Sequence, residues 1–244
     1  MALDNLKLPT ETVELPSKGL LYPKDNPLSS GTIEMKYMTA REEDILTNSA
    51  YIKNGTVIDK LLQSLIVSSI KYDDLLIGDK NAILIAARVL GYGKDYEFTV
   101  GDTTHIVDLT QIENKPFDES LFTSGVNEFS YTLPHTDTDI TFKLLSHGDE
   151  KKIQKELAGI KKLNQSNPDG STRLKYIITS VGESREPKDI REFVDNYLLA
   201  KDARAFRKYV LEFQPDVDLT FFPDDGGDSF PLPIGIRFFY PDFE

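Results

Sequence analysis

Met35–Lys36–Tyr37–Met38–Thr39–Ala40–Arg41–Glu42–Glu43 reads as the end of a strand running into a capped helix. Upstream, Gly31–Thr32–Ile33–Glu34–Met35–Lys36–Tyr37 alternates apolar and polar residues, the period of a half-buried strand. Thr39 then starts a helix. Its hydroxyl is placed to accept from the N–H of Glu42, and the Glu42 carboxylate to reach back to the N–H of Thr39. Glu42, Glu43 and Asp44 also stand at the positive end of the helix dipole. Capping accounts for these carboxylates, so they do not read as an acid–base pair.

The same wording recurs in the second half as Phe142–Lys143–Leu144–Leu145–Ser146–His147–Gly148–Asp149–Glu150. Both stretches spell apolar–Lys–apolar–apolar–Thr/Ser–x–x–acid–Glu. A second echo follows in the same order. Leu76–Ile77–Gly78–Asp79–Lys80–Asn81–Ala82–Ile83 resembles Leu199–Ala200–Lys201–Asp202–Ala203–Arg204–Ala205–Phe206, each starting the last helix before a hairpin. The spacing between the echoes is longer in the second half, so that copy carries an insertion, placed in its long helix and the Asn/Gly loop after it. Two readings fit: duplication of one unit, or coincidence of helix-capping grammar. Duplication predicts that Thr39 and Ser146 begin equivalent helices.

The predicted fold class is α+β. An extended proline-rich arm (1–31) precedes two tandem related subdomains (32–122 and 123–244). Each is a small helical cluster with antiparallel strands, ending in a hairpin. Pro9, Pro16, Pro23 and Pro27 keep the arm from forming a helix. Within it, Leu15–Pro16–Ser17–Lys18–Gly19–Leu20–Leu21–Tyr22–Pro23 sets apolar residues between turn formers. It reads equally as a partner-binding strip or as an arm folded back on its own domain.

In the first subdomain Val57, Ile58, Leu61, Leu62, Leu65 and Ile66 form an amphipathic helix face. Asp79 is expected to cap the next helix. That helix is apolar nearly all round from Ala82 to Leu90, hence central, and ends at Gly91 and Gly93. Tyr96–Val100 and His105–Leu109 read as a hairpin about Gly101–Asp102. In the second subdomain Phe129–Leu133 and Ile140–Leu144 read as paired strands. Ser146 caps a long polar helix to about Leu163, and Asn164–Ser171 is a loop. Three helix faces follow: Leu174, Ile177, Ile178 and Val181; then Ile190 to Leu198; then Ala203 to Phe213. Leu232, Ile234, Ile236 and Phe238 alternate as a closing strand.

The chain has 244 residues, 39% hydrophobic and 28% charged, which fits a soluble globular protein. No apolar run approaches the roughly 20 residues of a membrane span. Met1–Ala2–Leu3–Asp4 does not read as a secretory leader. There is no cysteine, so neither disulfides nor thiolate metal sites exist, and the chain suits a reducing cytoplasm. Net charge is −12, and acid exceeds base in both halves. That disfavours phosphate backbones and anionic membranes as partners, and it suits basic protein partners or plain solubility.

Catalytic chemistry is sparse. His105, His135 and His147 form no metal pair, no nucleophile elbow occurs, and Gly91–Tyr92–Gly93 follows a helix where a phosphate loop precedes one. Asp216, Asp218, Asp224, Asp225 and Asp228 form the one arguable cation cluster. Their spacing fits no EF-hand, and Asp225–Gly226–Gly227 is hairpin-turn chemistry. No catalytic, cofactor or metal residue is assigned, and no cofactor is expected. The candidate partner contacts are Leu15, Leu20, Leu21 and Tyr22 in the arm and Phe239, Tyr240 and Phe243 at the aromatic end. Exposed aromatics are costly unless covered. Completion of the core explains them as well.

The Leu15–Pro23 block, Glu34–Leu46, Asp74–Ala82 and Phe238–Phe239–Tyr240–Pro241 together resemble the baseplate hub and hub-assembly proteins of T-even-like contractile-tailed phages, especially marine ones. The resemblance implies a non-enzymatic role in building the central hub through protein–protein contacts. Its partners are then other baseplate or tail hub proteins. Its location is the host cytoplasm during assembly or the tail baseplate of the virion. Some similar phage proteins carry cysteine pairs at hairpin tips. Here Gly101–Asp102 and Asp224–Asp225–Gly226–Gly227 stand there, which rules out a zinc knuckle. The competing reading is a cytosolic adaptor of two tandem binding subdomains with no viral role. A metal-dependent hydrolase using the Asp216–Asp228 cluster is a third.

Overall fold

The Thr39 stretch folds as its letters predict. In the computed structural model, which describes residues 8–164, 168–223 and 226–239, strand β2 (Thr32–Lys36) runs into helix α1 (Ala40–Leu46) through a capping box at Thr39. The Glu42 carboxylate accepts from the Thr39 N–H at 2.9 Å and its hydroxyl at 2.6 Å, and from Lys36 Nζ at 2.8 Å and Ser64 Oγ at 2.6 Å. Burial works to raise this carboxyl and is outweighed by those hydrogen bonds, which hold it at about 2.

The second stretch repeats the geometry. Strand β6 (Asp139–Phe142) leads to helix α5 (His147–Asn164), with Ser146 N and Oγ each 3.3 Å from the Asp149 carboxylate and Lys143 Nζ at 2.7 Å. Thr39 and Ser146 therefore both begin helices through the same Lys–cap–acid triangle.

The agreement extends along both hairpins. β1 (Thr10–Glu14) pairs antiparallel with β2, Val13 facing Ile33 and Glu11 facing Met35. β5 (Phe129–Thr132) pairs with β6, Tyr131 facing Ile140 and Phe129 facing Phe142. In each hairpin a Leu–Pro pair directly follows the first strand. Leu15 N donates to Gly31 O at 2.8 Å, and Leu133 N to Thr138 O at 2.9 Å. On the far side of β2 lies a bridge to Ile66, directly after helix α3 (Val57–Leu65); on the far side of β6 lies β7 (Ile178–Val181), directly after helix α6 (Asp169–Ile177).

Asp79 and Asp202 complete the correspondence. Each is the third residue of its helix, α4 (Ile77–Tyr92) or α8 (Ala200–Phe213), and each is fully buried. Asp79 accepts from Ser17 N at 2.9 Å and Ser17 Oγ at 2.7 Å; Asp202 accepts from His135 N at 2.9 Å and Thr136 Oγ1 at 2.9 Å. Ser17 and His135 both follow the Leu–Pro pair. Asp79 is thus not the cap of its helix, as the sequence suggests. Leu76 stands at the cap position, and Asp79 clamps the hairpin turn.

Several expectations need correction. Residues 10–31 are no separate arm, because β1 is the hairpin partner of β2; residues 1–7 lie outside the described residues. Ile178–Val181, expected on a helix face, is strand β7 on the edge of β6. The closing apolar run is no long strand. It gives only β9 (Phe230–Pro231), paired with β8 (Thr220–Phe221), and then helix α9 (Ile236–Phe239). Proline at 231 and 233 and glycine at 235 interrupt the alternation. The first-half hairpin forms as expected from β3 (Asp95–Val100) and β4 (Thr103–Asp108). Helices α2 (Ser49–Lys53) and α7 (Pro187–Asn196) fill the remaining connections.

The halves share one core. A single cluster of buried side chains runs from Leu15 and Met35 through Ile83 and Phe142 to Phe206 and Phe239. Ile77 N donates to Leu145 O and His147 N to Leu75 O, so the start of α4 is stitched to the strand–helix junction of the other half. Lys115 N donates to Asp216 O and Asp218 N to Glu113 O at a second seam. At Gly78 a Cβ would stand 1.9 Å from Pro215 O, so only glycine lets these backbones meet. The boundary at 122 and 123 therefore does not separate two cores.

Candidate functional site

Four of the seven predicted contact residues belong to the interior. Leu15, Leu21, Tyr22 and Phe239 are buried. Leu20 is half-buried, and its carbonyl accepts from Gly125 N at 2.7 Å. The Tyr22 hydroxyl donates to Asp79 at 2.6 Å and accepts from Leu76 N at 2.9 Å. Burial pushes both the Tyr22 phenol and the Asp79 carboxyl up, and their mutual contact favours one shared proton over two charges. The Leu15–Pro23 block is thus folded back over Asp79 and is no partner strip. Tyr240 and Phe243 lie outside the described residues.

A surface feature shaped for a partner lies beside that hairpin. β1 and α4 are the walls of an apolar groove of about 310 Å³, lined by Thr12 and Val13 on one side and by Ala82, Ile85, Ala86 and Val89 on the other. Ile112 and Val217 close its far side, and Glu11 sits on its rim. Two alanines one helical turn apart leave the space open. The β1 register decides what faces the groove. Leu15 and Val13 occupy positions bonded to β2, so the backbone N–H and C=O of Thr10, Thr12 and Glu14 point to the outer edge. Thr10, Thr12 and Glu14 are exposed, and no described strand pairs with that edge.

The second half has the same walls with larger side chains. Counted from Asp79 and Asp202, Ala86 corresponds to Tyr209 and Leu90 to Phe213; counted along the hairpins, Glu11 corresponds to Phe129. There the larger side chains close the walls on each other, Phe129 meeting Phe213 at 4.7 Å and Tyr131 meeting Tyr209 at 4.5 Å. The Phe122 ring lies 4.9 Å from Phe213, stacked, and 5.4 Å from Phe129, edge-on. Phe117 packs on Phe122 at 5.2 Å.

Of the histidines and acids flagged in the sequence, His147 and Asp216 are buried, whereas His135, Asp218 and Asp228 are exposed. His105 packs among the rings of Phe98, Phe221 and Phe230, tilted or edge-on to each. His147 is buried at the junction of the halves. Its Nδ1 lies 3.2 Å from Lys80 Nζ, and Lys80 also reaches Asp59 at 2.6 Å. Burial and the Lys80 charge hold the imidazole below its usual range, so it is neutral at pH 7 and accepts from Lys80. Asp216 accepts from Asn81 Nδ2 at 2.9 Å and Val217 N at 2.8 Å, and Asp218 from Thr220 N at 3.0 Å. Asp224 and Asp225 lie outside the described residues. Among the described residues no group of three or more His, Cys, Asp or Glu side chains is placed to hold a metal ion.

Comparison with known proteins adds no relative: no family model, curated protein or solved structure matches the chain. Among the described residues no helix is long and apolar enough to cross a membrane.

Proposed function

We propose that the protein acts in building the central hub of a contractile-tail baseplate, as a structural part or assembly helper, through protein–protein contacts and without catalysis. The observation that carries a contact role is the open apolar groove beside an unpaired strand edge. Peptide-recognition sites commonly combine backbone hydrogen bonds from a sheet edge with an apolar trough for side chains. The viral setting rests on the resemblance of Leu15–Pro23, Glu34–Leu46 and Asp74–Ala82 to hub proteins. Those blocks fold as the hairpin turn, the capped helix and the α4 start. The charge of −12 supports protein partners over nucleic acid or anionic membranes.

Affinity capture of the tagged protein from infected cells tests this. Tail or hub proteins are expected among the captured partners. Recovery of no tail protein, together with normal tails in infections lacking it, overturns the proposal. Mass spectrometry of purified virions separates the two roles: a structural part is retained in the particle and an assembly helper is not.

A further inference from the structure

We propose that the groove between β1 and α4 receives an extended segment of a partner protein, which adds a strand to the outer edge of β1 and seats an aromatic side chain over Ala82 and Ala86. This deepens the contact role given above and does not depend on its viral setting.

The second half supplies the template. At the matching place Phe129 and Phe213 meet edge-on at 4.7 Å and Phe122 packs against both rings, an aromatic cluster between strand and helix. The first half keeps the trough but replaces Tyr209 by Ala86 and Phe213 by Leu90. A cavity of about 150 Å³ lined by aliphatic groups suffices to bind benzene. The groove here is twice that at about 310 Å³, room for a ring and part of its neighbours.

Backbone direction supplies the second argument. Thr12 presents an N–H and a C=O outward, and a strand laid along β1 satisfies both at once. Side chains on such a strand alternate, so one in two enters the trough while the other faces solvent.

Charge supplies the third. Glu11 lines the groove and Glu14 is exposed on the same strand, so the added segment carries basic residues beside its anchor. A second copy of this chain brings the same net charge of −12 to the contact, which opposes self-association.

The test uses the full chain and a synthetic probe. The probe is a nine-residue peptide of alternating threonine and valine, with a central phenylalanine and a lysine at each end. It is titrated into labelled protein and followed by amide NMR. Saturable binding is expected, with shifts confined to β1, α4 and Val217, and with slowed exchange of the Thr12 amide. Replacing the central phenylalanine by alanine is expected to weaken binding at least tenfold. N-methylating alternate backbone positions of the probe is expected to do the same, with the protein untouched. Ala86→Trp, which fills the groove from within, is expected to abolish binding while leaving the amide signals of β5, β6 and α8 unchanged.

Absence of saturable binding up to about 1 mM, the weakest affinity worth calling specific, overturns the proposal. So does binding that ignores N-methylation, since that is apolar adsorption without strand addition. Concentration-dependent dimerisation lost in Ala86→Trp assigns the groove to a second copy and also overturns it. Binding that appears only after deletion of residues 1–7 assigns the groove to the chain's own terminus, with the same consequence. If Ala86→Trp still captures tail proteins from infected cells, the hub role stands and the groove assignment falls.

Discussion

Glu42 shows how one side chain ties a local signal to the core. It closes the helix cap and also binds Lys36 and Ser64 from two other elements. Its carboxyl ionises at about 2 in the folded chain against 4.5 ordinarily, so its contribution is complete above pH 4.5 and is lost as pH falls towards 2. Glu42→Gln is expected to cost about 3 kcal/mol at pH 7. That cost should shrink steadily in urea melts run from pH 4.5 down to pH 2.5. A cost independent of pH would show that the charge is not what stabilises the box. Asp79 behaves in the opposite sense. Its carboxyl is raised by burial, so it favours folding most below its ordinary value of 3.8 and less as pH rises through the raised one. Asp79→Ala strands the Ser17 N–H, the Ser17 hydroxyl and the Tyr22 hydroxyl, and is expected to cost about 3 kcal/mol. Asp79→Asn keeps one acceptor and should cost about 1 kcal/mol, both read from equilibrium unfolding. The Thr39 and Ser146 caps were legible because cap, acid and lysine lie within a few residues of one another; the Ser64 bond to Glu42 was not. Asp79 looked like a cap for the same reason. Its true partner is 62 residues away, where no local pattern reports it.

At the scale of elements, legibility followed how far each segment depends on its neighbours. The α3 stripe from Val57 to Leu65 and the β3–β4 hairpin carry their own period and turn and form as read, whereas Ile66 leaves the stripe to bridge β2. Ile178–Val181 has four residues whose apolar run fits helix or strand alike, and pairing with β6 decides it. The groove escaped notice because the Ala82–Leu90 run reads only as a buried helix. Its signal was the Ala82–Ala86 pair one turn apart, which acquires meaning once β1 is known to run alongside. The sharpest dependence is at Gly78, where α4 meets the chain after α8. Gly78→Ala places a methyl against Pro215 O and is expected to cost about 3 kcal/mol, the upper end for overpacking. Retained thermal stability in that variant would mean that the seam slides freely.

Over the whole molecule, the α+β class and the repeated strand–cap–helix order were legible, whereas the union of the two halves was not. Hydrophobic periodicity tells which face of an element is buried but not against what. Here the answer is a common core, with seams at Leu145–Ile77 and at Lys115–Asp216. Fragments 1–122 and 123–244 are therefore each expected to lack a cooperative unfolding transition, while the full chain unfolds in one step by calorimetry. Two separable transitions in the full chain would contradict a shared core.

Phe238 and Phe239 extend that union in one direction. Both are fully buried; Phe238 packs edge-on against Tyr96 at 4.8 Å, and the Tyr96 hydroxyl donates to Pro233 O at 2.7 Å. During translation Tyr96 leaves the ribosome long before these residues exist. The first half must wait with its α4 face uncovered until the chain has been read past residue 239. A chain cut short at Leu232 is then expected to be degraded by trypsin much faster than the full chain, and adding it back in excess should not restore resistance. An incomplete copy leaves open the interior around Tyr96 that Phe238 and Phe239 complete.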